Sequence, residues 1–198
     1  MAQARRKTTQ NKIIEKAEKL LWQQGYEGTS LNDVVGKAGV SKGAFFHYYP
    51  NKQAISQDVI NKYSREQLVA PLEKRLAEAS TVKNGLFNWV SEFFETFKSH
   101  NFKGGCLLGN MALELSDQNE AARETIKQHF LDLENIIASA LKPLMDDGKL
   151  FMEPRQLARL LIASLQGATM MSKVHKDNNR ASREFQAIAH LIEYAIKD

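Results

Sequence analysis

Apolar positions recur along this chain at the three-and-four spacing of helices. Ile13, Ile14, Ala17, Leu20 and Leu21 mark one face of a helix from about Thr9 to Gln24, which Gly25 ends. Leu31, Val34, Val35 and Ala38 stand at i, i+3, i+4 and i+7, behind Ser30 and Asp33, the serine-x-x-acid spacing of a capping box. Gly39 stops that helix, because glycine accepts the left-handed conformation a sharp C-terminal turn requires. Ser41 caps again, and a second short helix runs from Lys42 to about Tyr49, where Pro50 disfavours helical geometry in the residue before it. The expected core of this three-helix unit is Ile14, Ala17, Leu21, Leu31, Val34, Val35, Val40 and Phe45.

The helical spacing continues to the C-terminus. Residues 53 to about 79 read as one long helix kinked at Pro71. Residues 82–100 are the most amphipathic stretch, with Leu86, Trp89, Val90, Phe93, Phe94 and Phe97. Gly104 and Gly105 break the chain, and Cys106 opens a helix carrying Leu107, Leu108, Met111 and Leu115. From 119 to about 147, Ile126, Phe130, Leu133, Ile137, Ala140 and Leu144 form a seam of coiled-coil type that ends at Asp146, Asp147 and Gly148, with Pro143 in the last turn. Two further helices, from near Pro154 and over 181–197, present Leu157, Leu160, Leu161, Ser164, Leu165, Ala168 and Met171, then Phe185, Ile188, Leu191, Ile192 and Ala195. The pattern predicts an all-α protein: a three-helix unit over 1–52 with a linking helix to about 79, and a helical body over 53–198.

Charge adds to this picture. The chain has 198 residues, 43% of them apolar, and a formal net charge of +4. Residues 1–52 hold nine Lys or Arg against four acids, a net +5, while the remaining 146 carry 18 basic and 19 acidic residues, a net −1. The positive field therefore sits where the paired short helices are, as a polyanionic partner would require. Arg5, Arg6 and Lys7 form either a solvated tail or an arm for phosphate or the minor groove. No run of eighteen apolar residues suits a membrane span, no apolar segment follows the basic N-terminus as in a secretory signal, and one cysteine fits a reducing compartment. These features place the chain in the cytoplasm.

Two short helices around a glycine turn make a helix-turn-helix, whose second member enters the DNA major groove. That pattern also occurs in helical proteins with no DNA partner, so the residue content matters. Ser41, Lys42, His47, Tyr48, Tyr49 and Lys52 offer phosphate or base-edge donors, and Gly43 and Ala44 permit close approach.

The run GYEGTSLNDVVGKAGVSKGAFFHYYPNKQAI resembles the DNA-binding domain of the TetR family of bacterial transcriptional repressors, over residues about 9 to 56 without a gap. The resemblance implies that Thr29 and Ser30 meet phosphate, that Lys42, Gly43, Ala44 and His47 face base edges, and that Tyr48 and Lys52 clamp the backbone. Phe46 stands where the family often has tyrosine, so a hydroxyl contact from there is absent. The family resemblance also implies that the last two helices pair with their copies in a second subunit as a four-helix bundle. Leu161, Leu165, Ala168, Ile188 and Ile192 are the expected interface.

The body offers two candidate effector sites. The aromatic stripe of Trp89, Phe93 and Phe97, with Met111, reads either as core or as the wall of a cavity for an apolar or flat molecule. Cys106, at a helix start and three residues from Lys103, reads either as a small buried hydrophobe or as an activated thiol. GGCLLGNMALEL is similar to the segment in NemR-type repressors, members of the family that respond to electrophiles through cysteine, and in that comparison Lys173 stands as a basic partner.

Enzymatic chemistry finds no convergent constellation. The five histidines are scattered without metal spacing, GKAGVSKG lacks the phosphate-loop spacing, and Cys106 as a nucleophile has no histidine near it in sequence. The expectation is a homodimeric, ligand- or redox-responsive repressor, without a cofactor or metal, bound to an inverted-repeat DNA operator and released by an effector.

Overall fold

The computed structural model describes residues 2–197, with side chains from Lys7 onward. The expected arm at Arg5 and Arg6 lies outside the described side chains. Helix α1 spans Ala2–Gln24, so it begins well before the apolar stripe that predicts it. Then follow α2 (Leu31–Ala38), α3 (Lys42–Tyr48), α4 (Lys52–Tyr63), a π-helical segment (Ser64–Val69) and α5 (Ala70–Glu78). The rest are α6 (Val82–Ser99), α7 (Leu107–Leu115), α8 (Glu120–Asp146), α9 (Pro154–His175) and α10 (Asn178–Ala195). No strand occurs among the described residues; one isolated antiparallel bridge joins Leu150 and Ile196.

The expected kink at Pro71 takes a different form. Proline lacks the N–H that would bond the carbonyl of Gln67, and its ring crowds that carbonyl. The distortion falls upstream, where Ser64–Val69 widens to π-helical geometry while α5 runs on with Pro71 in its first turn.

The chain divides into two compact units. The first holds the residues up to Ser64 and Cys106–Ile126; the second holds Arg65–Gly105 and the residues from Lys127 on. Helix α7 and the start of α8 thus belong with the helix-turn-helix, where the sequence pattern assigns them to the body.

In the first unit, α1 packs against α2 and α4. Its buried stripe is Ile13, Ala17, Leu20 and Leu21, joined by Val34, Ala38, Phe45 and Tyr49. Ile13 takes the place expected for Ile14, and Leu31, Val35 and Val40 are only half-buried. Local chemistry sets the turn. Ser30 caps α2 in a full capping box: the Asp33 N–H donates to Ser30 Oγ at 3.1 Å and the Ser30 N–H to Asp33 Oδ2 at 3.1 Å. The Ser30 hydroxyl and N–H hold the Asp33 carboxyl below its usual value, so the cap weakens only as pH falls through that lowered value. Gly39 ends α2 at φ 60°, a left-handed conformation that favours glycine.

In the second unit, α6 packs on α5 and α10, and α10 packs on α9. The expected interface residues Leu161, Leu165, Ala168, Ile188 and Ile192 are all buried within this single chain, at 0%, 3%, 8%, 5% and 1% exposure. They hold the chain's own helices together. Periodicity identifies them as apolar, but α9 and α10 carry apolar residues on more than one face. Leu161→Ala should therefore cost about 2–5 kcal/mol of stability, read as a lower urea midpoint at fixed protein concentration.

Candidate DNA-reading face and effector site

The open side of α3 collects the side chains expected to read DNA. Ser41 caps the helix by accepting the Ala44 N–H at 3.1 Å, which leaves Lys42 and Gly43 exposed at its start. A Cβ built on Gly43 would meet nothing within 4 Å, so the backbone there faces open space. His47 is exposed, Ala44 and Tyr48 are half-buried, and the His47 and Tyr48 rings meet edge-on at 5.3 Å. Phe46 is 49% exposed on the same short helix, a large apolar group left open because its neighbour Phe45 fills the core.

Tyr49 does not join this face. It is buried, its hydroxyl donates to Asp58 Oδ2 at 2.9 Å and accepts from Gln10 Nε2 at 3.2 Å, and burial pushes its phenol well above the ordinary value. It ties α1 and α4 to the end of α3.

The Thr29 side chain, expected at phosphate, is 1% exposed and its hydroxyl donates to the Gly25 carbonyl at 2.7 Å, so in this structure it closes the turn after α1. Ser30, next to it, is exposed. Lys52 is half-buried with its ammonium 4.0 Å above the Tyr26 ring, a cation–π contact that holds it beside the same turn. Lys62 pairs with Glu18 at 2.7 Å and fixes α4 on α1.

The six expected effector residues fall in different units. Cys106 and Met111 lie in the first, at 3% and 0% exposure; Trp89, Phe93, Phe97 and Lys173 lie in the second. Cys106 occupies the N-cap position of α7 without capping it through its side chain. The Tyr63 hydroxyl bonds with that thiol and accepts the Leu107 N–H; burial, and then the charge Cys106 would carry, push its phenol well above the ordinary value. Tyr63 is therefore a neutral phenol at neutral pH. No local spacing signals this pair.

The aromatic stripe packs against aromatic rings from outside it. Phe93 and Phe94 flank Phe185 of α10 at 6.4 and 4.9 Å between ring centres, and Phe97 meets Phe102 edge-on at 5.5 Å in a buried cluster with Ala181. Lys173 is exposed near the end of α9. A cleft of about 350 Å³ in this unit is lined by Ser164, Ala168, Met171, Glu184, Ala187, Ile188 and Leu191 of α9 and α10, with no residue of the aromatic stripe. Among the described residues no group of three or more His, Cys, Asp or Glu is placed to hold a metal ion, and no helix is long and apolar enough to cross a membrane.

The chain is similar to known proteins over most of its length. Residues 13–59 match the model of the bacterial regulatory proteins of the tetR family, and residues 84–188 match that of the tetracyclin repressor-like C-terminal domain. An uncharacterized HTH-type transcriptional regulator from the lacX 3′ region of Lactococcus lactis subsp. lactis is 27% identical over 186 residues, covering 92% of each chain. The HTH-type transcriptional repressor NemR of Escherichia coli K12 is 24% identical over 194 residues, again covering 92% of each. The crystal structure of E. coli NemR in its reduced form superposes with a TM-score of 0.81 at 22% identity, covering 91% of this chain and 95% of that one. The two family matches, which between them take in both the helix-turn-helix and most of the helical body, show that this chain belongs to the TetR family of transcriptional regulators.

Proposed function

We propose that this regulator is a homodimeric repressor that holds an inverted-repeat operator through α3 and is released by an effector acting on the rest of the chain. The observation that carries the reading is the open start of α3, where Lys42 and Gly43 stand exposed behind the Ser41 cap in the chain's most basic segment. A dimer sets two such helices one DNA turn apart, roughly 34–36 Å. Phosphate contacts would supply much of the affinity, which then falls steeply with added salt.

Support for the dimer comes from the faces that α9 and α10 leave open. Leu160, Met170 and Val174 on α9 and Tyr194 on α10 are 40%, 53%, 69% and 78% exposed, and the same two helices line the cleft. Exposed apolar surface of this kind favours association. The interface is therefore assigned to Met171, Val174, Ala187 and Leu191 rather than to the buried residues that the sequence pattern suggests.

Two effector readings remain distinct. Cys106 is the chain's single cysteine, sits at the start of α7 and is engaged by Tyr63, so a covalent adduct there must displace the Tyr63 contact. This favours an electrophile as the trigger. The aromatic stripe, packed against Phe185 and Phe102, offers less room for a non-covalent ligand.

Lys42→Ala should weaken binding to a fragment selected from random DNA by about ten-fold or more, a loss of about 1–3 kcal/mol per base or phosphate contact, with the dimer intact. Unchanged affinity would remove Lys42 from the reading face. Ala187→Glu and Val174→Glu, both at exposed positions, should give helical monomers by light scattering and circular dichroism; persistent dimers would place the interface elsewhere. Brief treatment with N-ethylmaleimide should release DNA from the wild type and not from Cys106→Ser, whereas equal release from both would favour the non-covalent ligand.

A further inference from the structure

Helix α7 carries one ionisable side chain, Glu114, along its nine residues. That carboxylate lies against the turn joining α1 to α2, 87 residues away in sequence: its Oε2 accepts the Glu27 N–H at 2.9 Å. Gly25, at φ 78°, lies so close that a Cβ built on it would come within 2.5 Å of Glu114 Oε1. A side chain at Gly25 would both strain the backbone and displace the carboxylate. The same turn is held on its other sides by the Thr29 hydroxyl on the Gly25 carbonyl and by Lys52 over the Tyr26 ring. It ends at Ser30, the cap that begins α2 and with it the helix-turn-helix.

We propose that Glu114 is a positioning residue for DNA recognition, whose carboxylate fixes the turn over residues 25–28 and so sets where α2 and α3 stand on α1. The proposal rests on the reading of α3 as the DNA reader. A negative charge on the unit that meets a polyanion works against binding through its field. Removing it by electrostatics alone raises affinity for any DNA. A positioning role has the opposite consequence for specific DNA, because the turn loses a charge-assisted hydrogen bond from the backbone amide.

The test compares the full-length wild type with Glu114→Leu and Glu114→Gln on two probes: a fragment that the wild type selects from random DNA, and a scrambled duplex of the same length. Glu114→Leu should lose roughly ten-fold in affinity for the selected fragment, with affinity for the scrambled duplex unchanged or raised. Glu114→Gln keeps an oxygen acceptor for the Glu27 amide and should recover most of the loss. Equal affinity of all three proteins for the selected fragment, or an equal loss on both probes, overturns the proposal. Should Glu114→Leu fail to fold, hydrogen exchange at the Glu27 amide of the DNA-bound wild type decides. Slow exchange supports the contact, and exchange at the rate of a free peptide overturns it. Failure of the DNA-reader assignment is seen separately, since the wild type would then select no sequence and Lys42→Ala would change nothing.

Discussion

The reader unit depends on the burial of one stripe of α1. Ile13, Ala17, Leu20 and Leu21 form the surface on which α2 and α4 pack, and Phe45 of α3 closes the same core. A fully buried phenylalanine contributes a large share of what holds so small a unit together. Its burial also decides what faces outward. Because Phe45 points inward, Lys42, Gly43, Phe46 and His47 are left on the open side of α3. The polar groups around the core refine this placement, with Tyr49 bonded to Asp58 and Gln10, and Lys62 paired to Glu18. What α3 presents outward is thus a consequence of core packing, since the exposed residues are set by which of their neighbours is buried.

Most of the helix-turn-helix is legible in the sequence because its signals are local. The Ser30 and Asp33 box, the left-handed Gly39, the Ser41 cap and the stop before Pro50 each involve residues within one turn of each other. The resemblance implies a phosphate contact for Thr29, but its hydroxyl turns back to the Gly25 carbonyl, and only the folded turn shows it. The two long-range contacts on α7, Tyr63 with Cys106 and Glu114 with the Glu27 amide, leave no mark in spacing or composition. Pro71 announces a distortion in the chain. The lost N–H lies two residues downstream of the π-helical segment that absorbs it, so the sequence marks the cause and not the place.

The body was legible as helices and less so as surfaces. Periodicity finds Leu161, Leu165 and Ile192 and equally Met171 and Leu191, because all sit at apolar positions of α9 and α10. Which of these the chain buries in itself depends on where α6 and α10 lie, and that is a property of the fold. The aromatic stripe illustrates the same point. Five aromatic residues near one another suggest spare room, yet Phe185 from α10 and Phe102 from the turn after α6 pack against them.

Helix α7 carries two contacts that join residues distant in sequence. It begins at Cys106, engaged by Tyr63, and ends beside Glu114, bonded to the turn that starts the reader. Its nine residues rise about 1.5 Å each, a rod of about 13 Å that does not stretch appreciably under side-chain forces. A displacement of its first turn is therefore carried to its last. Control of a DNA reader requires a coupling of only about 1–3 kcal/mol between effector and operator, which changes affinity roughly 5- to 150-fold. A hydrogen bond to a charged group is worth about 1.5–3 kcal/mol. The Glu27 amide on the Glu114 carboxylate is one such bond, at the surface, so under the proposed control its loss would be of the order required.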